Sequence, residues 1–299
     1  MENNQRTLNN GELEKLIAKL GGIAQVRKVL ENKLTVKIKD LVLLDENGCF
    51  LPQEGSISKG YEQDYLDMQP LVDCEIQLKR LTRSFPNLEF PSISEFRDQS
   101  HKLLIQLREN SAYAGLLKGF YMLVCYPKLK INFDFQSGCD PEAIDYGTVI
   151  QDMLFPVVKK TYQKVTGQGF MDSGNIKGVT TVIDDSHRRI FSRMFSGPLV
   201  GIQFYPFRGI PFFEAQSIVR QLEDAFALSS PLGLMMALIS APRTLLKSNV
   251  IFRTGAAVST SQSRYTMCVY VDHTGYLHYV KSDINSFDAR DCIGLTYIG

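Results

Sequence analysis

The sequence predicts an α+β protein, with a mostly helical N-terminal half packed on a C-terminal part that contains a mixed or antiparallel sheet. Three observations lead there. Apolar residues recur at helical spacing through the first half, as in Leu13, Leu16, Ile17 and Leu20. Strand-like runs concentrate after residue 179. Between them lies Gly167–Gly178, a glycine-bearing, weakly apolar segment that divides the chain into a mainly helical region, 1–170, and an α/β region, 171–299.

Taken in order, Asn10 is placed to cap a first helix, and Gly21-Gly22 interrupts it. A second apolar series, Ile23, Val26, Val29 and Leu30, then completes a helical hairpin. The spacing from Ala18 to Gly22 is that of a DNA-binding helix–turn–helix. Lys28 and Glu31, however, fall where that motif buries apolar side chains, so the plain hairpin is the better reading. Leu34, Val36 and Ile38 alternate and run to Glu46-Asn47-Gly48, a short β-hairpin near 34–51. A polar loop follows to about residue 70.

Helices are predicted over 71–83, 93–109, 112–124 and 142–166. The one at 93 opens with the capping box Ser92-Ile93-Ser94-Glu95. Gly115 and Gly119, four apart, predict close helix packing. Further on, Val179–Ile183 and Leu199–Tyr205 read as strands with a helix between, and Phe213–Phe226 and Leu232–Ile239 read as helices. Val250–Val258, Tyr265–Val271 and Tyr276–Val280 read as strands, the last two joined by the hairpin turn Asp272-His273-Thr274-Gly275. Cys292–Ile298 closes the sheet.

Composition narrows function little. Of 299 residues, 44% are hydrophobic and 22% charged, which argues against disorder, and a net charge of +1 points to no partner. The charge is uneven, because no acid lies between Asp224 and Asp272 while Arg243, Lys247, Arg253 and Arg264 all do. The six cysteines form no C-x-x-C and several sit in apolar runs, which fits reduced thiols in the cytoplasm. Met1–Lys15 is polar and lacks the apolar core of a secretory signal. Ala225–Pro242 is 18 uncharged residues, but Ser229-Ser230-Pro231 breaks it. It reads as a short buried helix over Pro231–Ser240, not a membrane span.

The chain contains no P-loop, no G-x-S-x-G elbow and no H-E-x-x-H. Gly167-x-Gly169 fails as a dinucleotide fingerprint, since Asp172 stands where the third glycine belongs. No cofactor and no metal is expected. His273 and His278 flank one turn, but a metal there needs a third ligand such as Asp272 or Asp283.

Chemistry is densest in Val179–Pro198. There Asp185 or Ser186 is placed to cap a helix whose stripe is His187, Ile190, Phe191 and Met194, and Gly197-Pro198 ends it. Arg188, Arg189 and Arg193 fall on the other side. With Arg253 and Arg264 they form an expected anion-binding face, since guanidinium suits oxyanion geometry. The alternative is catalytic: Asp184 or Asp185 orienting His187 as a general base.

The segments L-I-A-K-L-G-G (16–22), L-L-D-E-N-G-C-F-L-P (43–52), L-L-K-G-F-Y (116–121) and S-G-P-L-V-G-I (196–202) are, in this order, similar to a group of bacterial proteins of no known function. The resemblance implies a bacterial cytosolic origin and no chemistry. The expectation is therefore a soluble cytoplasmic binding or interaction protein without a membrane segment. Its partner is an anionic ligand held by a basic face, or another protein. The alternative is a hydrolase-type enzyme centred on Asp184, Asp185 and His187.

Overall fold

The computed structural model describes residues 11, 13–14, 17, 22–31, 44–51, 70–128, 149–172, 181–182, 185–243, 250–255, 258–259, 264–288 and 290–299, with the main chain alone at 29–30, 149–151, 172, 181–182, 185–188, 191–192, 258–259 and 264. Contacts divide the chain after Val42, into Met1–Val42 and Leu43–Gly299, and not near residue 170. In the first unit, Gly22 has a φ of 92°, a left-handed conformation that turns the chain into helix α1 (Ile23–Leu30), as the glycine pair predicts. The expected strand over 34–43 lies outside the described residues.

The second unit begins with a tight turn. Asp45 Oδ1 accepts the N–H groups of Asn47 and Cys49 at 2.9 and 2.8 Å, and Gly48 has a φ of 76°. Helices α2 (Cys74–Ser84) and α3 (Ile93–Glu109) follow as expected. Asp73 caps α2 by accepting from Ile76 N. The predicted capping box is formed in full on α3: Ser92 Oγ accepts from Glu95 N, and Glu95 Oε2 accepts from Ser92 N at 2.7 Å. Ser92→Ala is expected to lower the unfolding free energy by about 1 kcal/mol, read as a lower urea midpoint at unchanged slope.

The expected helix over 112–124 is corrected. A single 3-10 turn, Ala114–Lys118, leads into strand β1, Tyr121–Tyr126. Tyr121-Met-Leu-Val-Cys-Tyr126 is apolar throughout and buried throughout, so it carries no periodicity with which to tell helix from strand. Pairing with a partner strand decides it. Nor do Gly115 and Gly119 bring two helices together. A Cβ on Gly48 would stand 2.5 Å from Gly115 O and 3.0 Å from Gly119 N, so these glycines make room for the Asp45–Cys49 turn.

Helix α4 (Phe155–Thr166) ends at Gly167, whose φ is 75°. Short strands β2 (Phe170–Asp172) and β3 (Thr181–Val182) precede helix α5 (Asp185–Ser196) and the long strand β4 (Leu199–Arg208). Helix α6 (Phe212–Val219) is shorter than the expected Phe213–Phe226, because Phe226–Leu228 leaves the helix to pair as strand β5. The uncharged stretch forms helix α7 (Pro231–Ser240), with Ser230 Oγ accepting from Gly233 N at 3.0 Å and every residue buried. No described helix is long and apolar enough to cross a membrane. The remaining strands are β6 (Ile251–Arg253), β7 (Val258–Ser259), β8 (Arg264–Val271), β9 (Leu277–Asp283) and β10 (Asp291–Tyr297).

These strands form one mixed sheet of ten described strands, ordered β1-β4-β10-β6-β8-β7-β3, with β9 and then β2 branching from β8, and β5 on β10. The β6–β10 and β2–β9 pairs are parallel and the rest are antiparallel. The structure is thus α+β, and a strand from the N-terminal half, β1, belongs to the same sheet as the C-terminal strands. Strands β4 and β10 lie at its centre and are buried at every residue, which explains their unbroken rather than alternating hydrophobicity. Helix α7 covers the face that carries Met122 and Tyr205. It leaves a closed-in apolar space of about 10 Å³ beside Phe120, Leu234, Ala237 and Phe252, which is no larger than one water.

Candidate functional site

The segment richest in charge forms a helix, as its caps predict, and its apolar stripe is real at Ile190 and Met194, both fully buried. Asp184 and the side chains of Asp185, His187, Arg188 and Arg264 lie outside the described residues. The described arginines of α5 point inward to main-chain oxygens. Arg189 donates to Asp224 O at 2.6 Å and Phe226 O at 3.1 Å, with Asp224 Oδ1 at 3.2 Å. Arg193 donates to Ile298 O and Gly299 O, both at 2.7 Å. These bonds tie α5 to the ends of β5 and β10.

Arg253 is in a different place and a different environment. It is 3% exposed and pairs with Asp291, 2% exposed, at 3.0 Å. The same guanidinium donates to Ser282 Oγ at 2.6 Å and to Ser286 O, while Asp291 Oδ2 also accepts from Asp288 N at 2.9 Å. Asp291 and Ile298 are separated by seven steps of extended chain, about 23 Å. Arg189, Arg193 and Arg253 are therefore not gathered on one exposed face. Burial pushes Asp291 above the usual carboxylate range, and the Arg253 charge offsets part of that.

Around this pair the interior holds three thiols. Cys268 is the β8 partner of Arg253, and Cys292 the β10 partner of the buried Arg208. Cys49 also feels the Arg208 charge. Burial raises all three, Cys292 to about 12, so none is a ready nucleophile.

Two groupings remain where charged or basic groups reach solvent. At the first, Arg80 of α2 donates to Ser240 O at the end of α7 at 2.6 Å, and the exposed Arg243 donates to Val165 O near the end of α4 at 3.3 Å. Helix C-termini attract cations, which explains both placements. The two cations also crowd each other: burial and then the Arg243 charge lower the proton affinity of Arg80, and Asp73 offsets part of this. Arg243 belongs to the acid-free stretch seen in the sequence. Arg80 carries no local signal, because the contact spans 160 residues.

The second lies on the β8–β9 hairpin, whose turn forms as predicted. Asp272 Oδ1 accepts from Thr274 N, Thr274 Oγ1 and Tyr276 N at 2.9, 2.6 and 3.0 Å. Its Oδ2 lies 2.7 Å from His278 Nε2, and the imidazole stacks on Tyr270 with ring centres 4.8 Å apart and planes 1° apart. These hydrogen bonds, Thr274 and His278 first, hold the Asp272 carboxyl far below the usual range. His273 is exposed at the turn. Among the described residues, no three of His, Cys, Asp and Glu converge as metal ligands.

A depressed carboxyl adds stability above its unfolded pKa and loses it as pH falls through the folded one. The hairpin tip is therefore expected to stay closed at pH 4, where an ordinary aspartate is about half titrated, and to open at lower pH. Amide exchange at Thr274 and Tyr276 against pH reads this directly. Exchange that rises around pH 4 in step with ordinary carboxylates would count against it.

No family model, curated protein or solved structure matches the chain.

Proposed function

We propose that the protein is a bacterial cytoplasmic binding protein for an oxyanion-bearing ligand, held by Arg80 and Arg243. The observation that carries the proposal is the crowding of these two guanidiniums at the adjoining ends of α2, α4 and α7. Each spends one N–H on a helix-end carbonyl and has further donors in its planar fork. A phosphate, sulfate or carboxylate set between them relieves their repulsion and accepts those donors. This site replaces the face at Arg188, Arg189, Arg193, Arg253 and Arg264 as the anion contact. The free state of the five described cysteines and the absence of a described membrane-crossing helix support the cytoplasmic part of the reading. No contact among the described residues supports a hydrolase centred on Asp184, Asp185 and His187.

Inorganic phosphate tests the proposal, with chloride at equal ionic strength as reference. Phosphate is expected to raise the melting temperature of the native protein, and Arg243→Gln, at an exposed residue, to remove most of that rise. If Arg243→Gln keeps the full phosphate response, or phosphate acts no differently from chloride, the assignment is wrong. Arg80→Gln is the weaker test, because it also removes the bond to Ser240 O.

A further inference from the structure

On the branch of the sheet formed by β8, β9 and β2, three side chains stand in one row: Tyr270, His278 and Met171. Tyr270 and His278 are cross-strand partners, and Met171 is the parallel partner of His278. Directly opposite residues project to the same face, with strands about 4.8 Å apart. The row lies at an edge, because β2 pairs only with β9 among the described residues, and Met171 is 50% exposed. The neighbouring Tyr276, 42% exposed, lies over Gly169, where a Cβ would stand 2.2 Å from its ring.

The imidazole here is held in a defined way. The Asp272 carboxylate accepts at Oδ2, so the 2.7 Å contact places the proton on His278 Nε2. Neutral His278 then carries its lone pair on Nδ1. A carboxylate that fixes one imidazole nitrogen is the usual support for a histidine that binds a metal through the other. Stacking on Tyr270 occupies a face of the ring and leaves its edge, where coordination takes place. The donor beside it is a thioether. One imidazole and one thioether, with no carboxylate or thiolate completing the set, suit a soft monovalent ion in low coordination and not zinc, calcium or magnesium.

We propose that His278 Nδ1 and Met171 Sδ form a binding site for a soft monovalent metal ion of the copper(I) class, with Asp272 orienting the imidazole. The site is separate from the oxyanion site proposed above and does not depend on it.

Silver(I) is the probe, since it shares this coordination chemistry and has no redox step. Accessible thiols are first blocked by iodoacetamide on the native protein. The five described cysteines are buried, which shields them from both reagents. The readout is the methyl signal of Met171 in protein labelled at its methionine methyl groups, assigned by its loss in Met171→Leu. One equivalent of silver(I) is expected to shift the Met171 methyl and the His278 ring signals together. Met171→Leu and His278→Ala are each expected to weaken binding at this site at least tenfold. Met171 is half exposed, so its leucine variant is expected to fold. The proposal fails if the Met171 methyl does not move, or if it moves equally in His278→Ala.

Discussion

Arg253→Met is expected to lower the unfolding free energy at pH 7 by about 3–5 kcal/mol, the usual cost of leaving one member of a buried ion pair alone. Asp291 then keeps the Asp288 N–H but loses its cation, in a site where it is 2% exposed. The loss reaches beyond the pair. Arg253 joins β6 to Ser282 of β9 and to Ser286 in the segment after it, while Asp291 opens the central strand β10.

The deficit is expected to depend on pH, and its sign can be worked out. With the cation gone, burial alone acts on Asp291 and lifts its folded pKa further above the unfolded value of about 3.9. A group raised in the folded state stabilises below its unfolded pKa and loses that contribution as pH rises. The variant should therefore recover part of its deficit as pH falls from 7 towards about 4, where the carboxyl is neutral. The double variant Arg253→Met/Asp291→Leu removes both charges and is expected to regain most of the loss. Urea unfolding of the three proteins at pH 7 and 4.5 checks all of this. A single variant within about 1 kcal/mol of wild type would show that the pair is not an anchor of the sheet.

Gly294→Val is expected to be as damaging, for a steric reason. Gly294 lies within β10, between Ile293 and Leu295, where the ladder with β4 shifts register. A Cβ there would stand 2.6 Å from Ser229 Cβ and Oγ and 3.3 Å from Tyr205 Cε1. Ser229 cannot easily retreat. Its N–H donates to Gly294 O at 2.9 Å, its hydroxyl lies 3.1 Å from Thr296 Oγ1, and its own carbonyl accepts from Gly255 N at 2.9 Å. Overpacking of this kind costs about 1–3 kcal/mol, and a β-branched side chain against main chain falls at or above the upper end. The melting temperature is expected to fall by about 10 °C. Gly197→Ala is the control, since a Cβ at Gly197 meets nothing within 4 Å. It should change the melting temperature by no more than a degree or two. Equal behaviour of the two variants would refute the packing argument.

Local chemistry by itself determined the punctuation of this chain. Gly22, Gly167 and the Asp272–Gly275 turn end or reverse elements where their backbone freedom predicts, and Ser92, Glu95 and Ser230 cap helices where their side chains reach the first free N–H groups. The short buried helix Pro231–Ser240 and the C-terminal hairpin were legible for the same reason: their signals lie within a few residues.

Only the tertiary structure decided the identity of Tyr121–Tyr126 and Phe226–Leu228. Both are short apolar runs without periodicity, and they become strands because β4 and β10 offer them backbone partners. The fate of the charged residues was decided in the same way. Arg189, Arg193 and Arg253 look alike in sequence, yet the first two cap distant strand ends and the third is buried against Asp291. Arg80 meets Ser240 across 160 residues, and Met171 meets His278 only through a parallel strand pair. Caps and turns are set by short-range sterics and hydrogen bonds. What an arginine or a methionine does depends on desolvation and on partners that the folded sheet alone brings near.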